Sequence, residues 1–196
     1  MSKGTISLIV VGVVVVLLIG GSLTTYNGLV QKDEAVATAW SNVQSQYQRR
    51  ADLIPNLVNT VKGYAQHESA TLEQVVAARA KATQLTVSAD ELSPEKMKQL
   101  QAAQGELSQA LGRLLMITEN YPDLKANENF LDLQAQLEGT ENRINESRRL
   151  YNESVQTYNV GIRRFPANVV AGMFGFDKRT PFEAEAGAEK APKVEF

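Results

Sequence analysis

From Gly4 to Gln31 the chain runs for 28 residues without a charge, and 13 of the 18 residues from Ile6 to Leu23 are Val, Ile or Leu. A bilayer core of roughly 30 Å takes about 20 helical residues to cross. In lipid every backbone group must find its partner inside the segment, so even a run rich in β-branched residues has the helix as its only open form. A cleaved signal peptide is the competing reading. Gly20, Gly21 and Ser22 are small, but no A-x-A pattern follows the run, and the run exceeds the usual apolar region of a signal. The segment therefore reads as an uncleaved single-pass anchor over residues 1–25. Lys3 and the terminal amine precede it; Lys32, Asp33 and Glu34 follow, and the next basic residue is Arg49. The positive-inside count thus tips, by a single lysine, toward a body outside the cytoplasm.

All 22 acidic residues and all but one of the 20 basic ones lie beyond the apolar run. A net charge of −2 gives no global attraction to nucleic acid. The chain has no cysteine, which excludes disulfides, thiolate metal sites and cysteine nucleophiles. His67 is the one histidine. His67-Glu68 does not extend to H-E-x-x-H, because position 71 is Thr, and Ser69 cannot face a near neighbour on the same helix. There is no Walker loop and no G-x-G-x-x-G. The doublets Arg49-Arg50, Arg148-Arg149 and Arg163-Arg164 have acids among them and no aromatic interleaving. No catalytic, metal or cofactor site is expected.

Beyond Tyr26 the periodicity is helical. Leu29, Val36, Trp40, Val43, Tyr47, Ile54, Val58 and Val61 follow three-and-four spacing, which continues through Leu72 and Val76. Pro55 sits inside this pattern, and a kink or break is expected there. Gln84 to Asp90 reads as a loop. Ser93 offers an N-cap with Pro94 at the first helical position. Met97, Leu100, Gln104, Leu107, Leu111, Leu114 and Thr118 then form a seam with two polar members, which stops at Tyr121-Pro122-Asp123. A further helix is expected from Asn127. Phe130, Leu137, Ile144, Tyr151, Tyr158 and Phe165 recur every seventh residue, beside a column of mostly small residues: Leu133, Thr140, Ser147, Ser154 and Gly161. That helix would run roughly 54 Å. The fold class is all-α: a single N-terminal transmembrane helix, then an elongated antiparallel bundle of three long helices, or four if Pro55 divides the first. Trp40, Tyr47, Phe130 and Ile144 belong to the core; Tyr151 and Tyr158, each followed by an Asn, fit either the core or a rim. The bundle is expected over residues 26–176 and a disordered tail over 177–196.

Two groups of residues stand out as candidate contacts. Arg50, Asp52, Asn56 and Asn59 form a polar motif, of which Asp52, Asn56 and Asn59 share a face astride Pro55. They either satisfy backbone groups freed by the proline or meet Asn142 and Arg143 on another helix in an interhelical or assembly contact. Val170, Met173, Phe174 and Phe176 lie in a short apolar segment, Ala167 to Phe176, which either folds back on the bundle or meets a partner or lipid.

Several of these stretches resemble the LemA family. They include Tyr26-Asn27-Gly28-Leu29-Val30, Trp40-Ser41-Asn42-Val43, Arg49 to Val58 and Val61 to Glu68. In the second half they are Tyr121 to Asn127, Thr140 to Ile144, Tyr151-Asn152, Tyr158-Asn159 and Phe165-Pro166. The resemblance covers nearly everything from the span to Phe176. It implies a bacterial inner-membrane protein with one N-terminal span, a helical body and no assigned activity. It also implies a short extracellular N-terminus with the body in the cytoplasm, opposite to the charge count. Relatives in magnetosome membrane formation, and genes lying near membrane proteases, imply membrane organisation or quality control. The expected function is a non-enzymatic scaffold that contacts membrane lipid, forms a homo-oligomer and organises the membrane. The alternative is an adaptor for a membrane protease.

Overall fold

The structure, a computed structural model, describes residues 3–183. Those residues form six α-helices and one short 3-10 turn, with no strand among them. In chain order they are α1 (Lys3–Tyr64), α2 (Ser69–Gln84), the 3-10 turn (Ala89–Glu91), α3 (Pro94–Thr118), α4 (Pro122–Lys125), α5 (Glu128–Arg163) and α6 (Ala167–Phe174).

The apolar run and the first bundle helix are one element. α1 is 62 residues long, roughly 90 Å at helical rise. It is the one helix here long and apolar enough to cross a membrane, and none of its most apolar window is buried against the rest of the chain. At the far end of that window the hydroxyls turn inward. Ser22 donates to the Leu18 carbonyl (2.8 Å), Thr24 to Gly20 (2.7 Å) and Thr25 to Gly21 (2.8 Å). Polar side chains near the end of the run are therefore satisfied within the helix, as an apolar surround requires.

Pro55 neither breaks nor ends the helix. The missing N–H frees the carbonyl of Ala51 one turn back, and Arg79 of α2 donates its Nε to that carbonyl at 2.7 Å. Asp52, Asn56 and Asn59 play no part in this repair. The break falls later, at Ala65–Glu68, closed by Glu68 N–H to Ala65 O at 3.1 Å. It shifts the phase of the seam: Val75 is fully buried, whereas Val76, expected in the core, is 50% exposed. The fourth bundle helix thus arises from this turn and not from Pro55.

α3 and α5 begin as expected. Ser93 accepts from Lys96 N–H, and Asn127 accepts from Phe130 N–H. All seven seam residues of α3 are buried. α5 lies antiparallel to α1 along its length: Asn127 Nδ2 donates to Tyr64 Oη, Arg148 Nε donates to Tyr47 Oη, and Gly161 faces Lys32. Gly161 packs close to Lys32: an added Cβ would lie 3.1 Å from Lys32 Cδ, so that side chain would have to shift. Two i-to-j pairs, Lys81–Glu106 and Arg113–Gln74, set α2 antiparallel to α3.

The segment after α6 departs from the expected tail. Asp177 to Glu183 runs extended along α5, and Phe182 is 8% exposed. The amide of Asn159 brackets the backbone of Arg179 (2.8 and 2.9 Å), and that of Asn152, two turns earlier, brackets Phe182 (3.1 and 2.8 Å). An Asn amide presents an N–H donor and a C=O acceptor side by side, so it pairs with an extended residue as a neighbouring strand would. The rest of the expected disordered tail, 184–196, lies outside the described residues. Tyr151 and Tyr158 are core residues, both essentially unexposed.

A double-mutant cycle tests the proline repair. Arg79→Met should cost about 1–2 kcal/mol in urea unfolding, because it leaves a buried carbonyl unpaired. In a Pro55→Ala background, where residue 55 regains its own N–H, most of that cost should vanish. Equal costs in both backgrounds would show that Arg79 acts elsewhere.

Candidate functional site

Position 50 belongs to an unbroken column of residues spaced by seven on α1: Leu29, Val36, Val43, Arg50 and Leu57. All five are buried, and Arg50 is 2% exposed. Its guanidinium reaches across the bundle to two other helices. One terminal nitrogen donates to Ser108 Oγ at 3.0 Å and to Glu141 Oε2 at 2.6 Å; the other donates to Gln104 Oε1. The Tyr47 ring lies beneath it at 5.8 Å. This layer divides the core. One apolar cluster holds Trp40, Tyr47, Leu100 and Ile144; the other holds Ile54, Leu57, Leu107 and Leu137. Arg50, Gln104, Thr140 and Glu141 fall between them on all three long helices. A buried charge with partners on two helices permits one axial register, whereas apolar layers alone would tolerate slippage.

The predicted contact group lies beside this hub and not in it. Asp52 is exposed and accepts only from Gln48 of its own helix (2.7 Å). Asn56, Asn59, Asn142 and Arg143 are exposed and make no side-chain hydrogen bond within the described residues. The expected interhelical pairing of Asp52, Asn56 and Asn59 with Asn142 or Arg143 is therefore absent within the chain; Arg50 and Glu141, one or two residues away, make it instead. Asp52 and Asn56 line an open groove of about 860 Å³ that also includes Trp40, Leu100, Gln104 and Leu107.

A second cluster closes the other end of the bundle. Trp40, Tyr151 and Phe182 pack ring on ring, with centroids 5.4–5.9 Å apart. Trp40 Nε1 donates to Val87 O at 2.8 Å, and Tyr151 Oη donates to Thr180 O at 2.8 Å. Arg179 holds Asp33 at 2.8 Å and Asp90 at 2.6 Å, so it ties α1, the 3-10 turn and the extended segment together. Burial pushes the Tyr151 phenol up to about 12, against the pull of the Arg179 charge. Tyr47 and Tyr158 are raised for the same reason.

The apolar candidates divide by face. Val170 is buried, 6% exposed, and anchors α6 to the bundle, so it is not available to lipid or a partner. Phe176 is half-buried against Tyr26 (5.6 Å). Met173 and Phe174 are exposed (75% and 59%), as is Val169 (53%) of the same segment; Phe165, the last member of the seven-residue column, lies past the end of α5 and is 84% exposed, not packed in the bundle. His67 is exposed in the turn before α2. Among the described residues no group of three or more metal-ligating side chains converges.

These features define a helical body built around one buried polar layer and one aromatic cluster. Residues 39–196 match the sequence model of the LemA family. The chain belongs to the LemA family. The match extends beyond Phe176 into the segment that carries Arg179 and Phe182. Among relatives, the magnetosome protein MamQ 2 of Paramagnetospirillum magneticum is 29% identical over 92% of this chain and 72% of its own length. The magnetosome protein MamQ of Magnetospirillum gryphiswaldense is 29% identical over 88% of this chain and 69% of its own. The protein LemA of Metamycoplasma hominis is 28% identical over 74% and 63%. With its apolar α1, the chain is a membrane-associated LemA-family protein.

Two outcomes test the hub and the aromatic cluster. Arg50→Ala should cost about 3 kcal/mol in urea unfolding, because it strands buried polar partners. Arg50→Met combined with Gln104→Leu should recover most of that loss; a loss as large as that of Arg50→Ala would contradict the layer's polar bookkeeping. For Tyr151 the folded state holds the phenolic proton more tightly than the unfolded state does. Its contribution is complete below pH about 10 and lost as pH rises toward about 12. Tyr151→Phe should therefore be about 1 kcal/mol less stable at pH 8, yet lose stability less steeply than wild type between pH 10 and 12.

Proposed function

We propose that this protein is a non-enzymatic, single-pass membrane scaffold whose bundles associate side by side into a homo-oligomer that organises or remodels the bacterial inner membrane. The observation that carries the reading is the continuity of α1. One helix enters the bundle from the apolar run with no hinge, so body and span move as one unit and the body is held at a fixed height. Neighbouring bodies held in this way can bring the same flanks together, and part of the freedom lost on association is already lost beforehand. Asp52, Asn56, Asn59, Asn142 and Arg143 supply exposed polar groups on such flanks. The relatives named as magnetosome proteins favour an organising role over a catalytic one.

Native mass spectrometry of the protein extracted in mild detergent should show discrete oligomers. Asp52→Ala and Arg143→Ala should loosen them while leaving the unfolding free energy within about 0.5 kcal/mol of wild type. A strictly monomeric species would remove the scaffold reading. In-cell crosslinking that yields one dominant foreign protein, and no self-crosslink, would favour an adaptor for a membrane protease instead.

A further inference from the structure

α6 lies where α1 leaves the bundle for the apolar run. The ring of Phe174 sits 4.8 Å, and that of Phe176 5.6 Å, from the ring of Tyr26. Tyr26 follows Leu23, the last residue of the apolar run, by three positions, about 4.5 Å along the helix. A tyrosine at that place belongs at headgroup depth, with its ring among the upper acyl chains and its hydroxyl in water. Whatever touches it shares that depth.

α6 buries only part of its surface. Val170 and Ala171 close the end of the core, whereas Val169 and Met173, four apart on α6, form a stripe facing outward, and Phe165, in the turn just before α6, is exposed as well. Phe174 is more than half exposed beside them. Phe174, packed on Tyr26, joins this surface to α1 at the end of the apolar run. The flanks of the stripe are basic. Between Ser154 and Thr180 there are four basic residues, Arg163, Arg164, Lys178 and Arg179, and one acid, Asp177. Arg179 is occupied by Asp33 and Asp90, but Arg163, Arg164 and Lys178 are exposed and have no ion-pair partner among the described residues.

We propose that α6 with its basic flanks is a second membrane contact: it lies in the surface of the bilayer, its apolar stripe among the acyl chains and Arg163, Arg164 and Lys178 on anionic headgroups. This rests on reading α1 as crossing the membrane. Position, apolarity and charge agree on one occupant. The patch meets the end of the span at Tyr26, its exposed residues are the kind that enter the headgroup boundary, and its unpaired charges complement phosphate. A single helix leaves the body free to tilt and rotate about its axis. A contact to one side of that helix removes both freedoms and inserts apolar volume into one leaflet only.

The absence of cysteine allows single labels without background changes. Full-length Val14→Cys, Met173→Cys and Met116→Cys variants, each carrying an environment-sensitive fluorophore, would be placed one copy per nanodisc in bilayers containing anionic lipid. Met116 is an equally exposed methionine (71%) near the end of α3 away from Tyr26. The label at Val14 should be quenched by nitroxides deep in the acyl chains and the label at Met173 by shallow ones, both shielded from iodide, whereas the label at Met116 should be open to iodide and quenched by neither. Shielding at Met173 should fall several-fold in purely zwitterionic discs. It should fall likewise when Phe165→Glu and Val169→Glu are added, with the unfolding midpoint unchanged. If Val14 is shielded but Met173 is as open to iodide as Met116, the second contact is overturned and the span stands. If Val14 is also open to iodide, the crossing fails and the inference with it. Shielding at Met173 that appears only in discs holding two copies overturns it too, and assigns the stripe to a second copy of the chain.

Discussion

Because α1 runs without interruption from Lys3 to Tyr64, no part of the body can be placed independently of the apolar run. α2, α4, α5, α6 and the 3-10 turn all pack against it. Their axial positions are set by the column of buried residues on its face, and within that column by Arg50. Leu29, Val36, Val43 and Leu57 would accept a neighbour displaced by a turn. A guanidinium that must find Gln104 and Ser108 on one helix and Glu141 on another accepts one arrangement. The same helix thus sets both the height of each core layer and its distance from the membrane.

That dependence explains which parts were legible in the sequence. The caps at Ser93 and Asn127, the seam of α3 and the seven-residue column of α5 are local patterns, and each element formed where its pattern lay. Features decided by tertiary partners were not. Pro55 carries a real breaking signal, but its freed carbonyl is met by Arg79, 28 positions from Ala51. The break came at Ala65–Glu68, a stretch with no proline and no side-chain cap at Glu68. Arg50 belongs to the polar motif of Asp52, Asn56 and Asn59 by sequence, but by spacing it also falls in a core column, and the column is where it sits. The signal that could have found it was polar residues at matching depth in three seams.

The segment after α6 shows the opposite error. Its Ala, Glu, Pro and Lys content resembles a solvated tail, yet Phe182 completes the ring cluster on Trp40 and Tyr151. The key lay on the partner helix. Tyr151-Asn152 and Tyr158-Asn159 repeat at seven residues, which places a buried phenol and a backbone-pairing amide side by side twice along α5. Composition reads one strand of such a contact and misses the other. At the candidate contacts, the sequence placed the right segments but not the right faces: Val170 turned inward, Phe165 and Val169 outward, and the polar group around Asp52 stayed on the surface beside the hub it was expected to form.

The two ends of the bundle differ. Near Tyr26 lie the exposed apolar residues of α6, proposed as a lipid contact, and the clasp of Arg179 on Asp33; toward Tyr64 the helices turn and return. All of this requires that the junction be rigid. Hydrogen exchange on the full chain in lipid bilayers measures that most directly. Amides from Leu18 through Val43 should exchange slowly and without a gap, those of Thr24 to Val30 as slowly as those of the bundle core. A window of fast exchange between Leu23 and Leu29 would mean that span and body are joined by a hinge, and the orientation on which the scaffold depends would be lost.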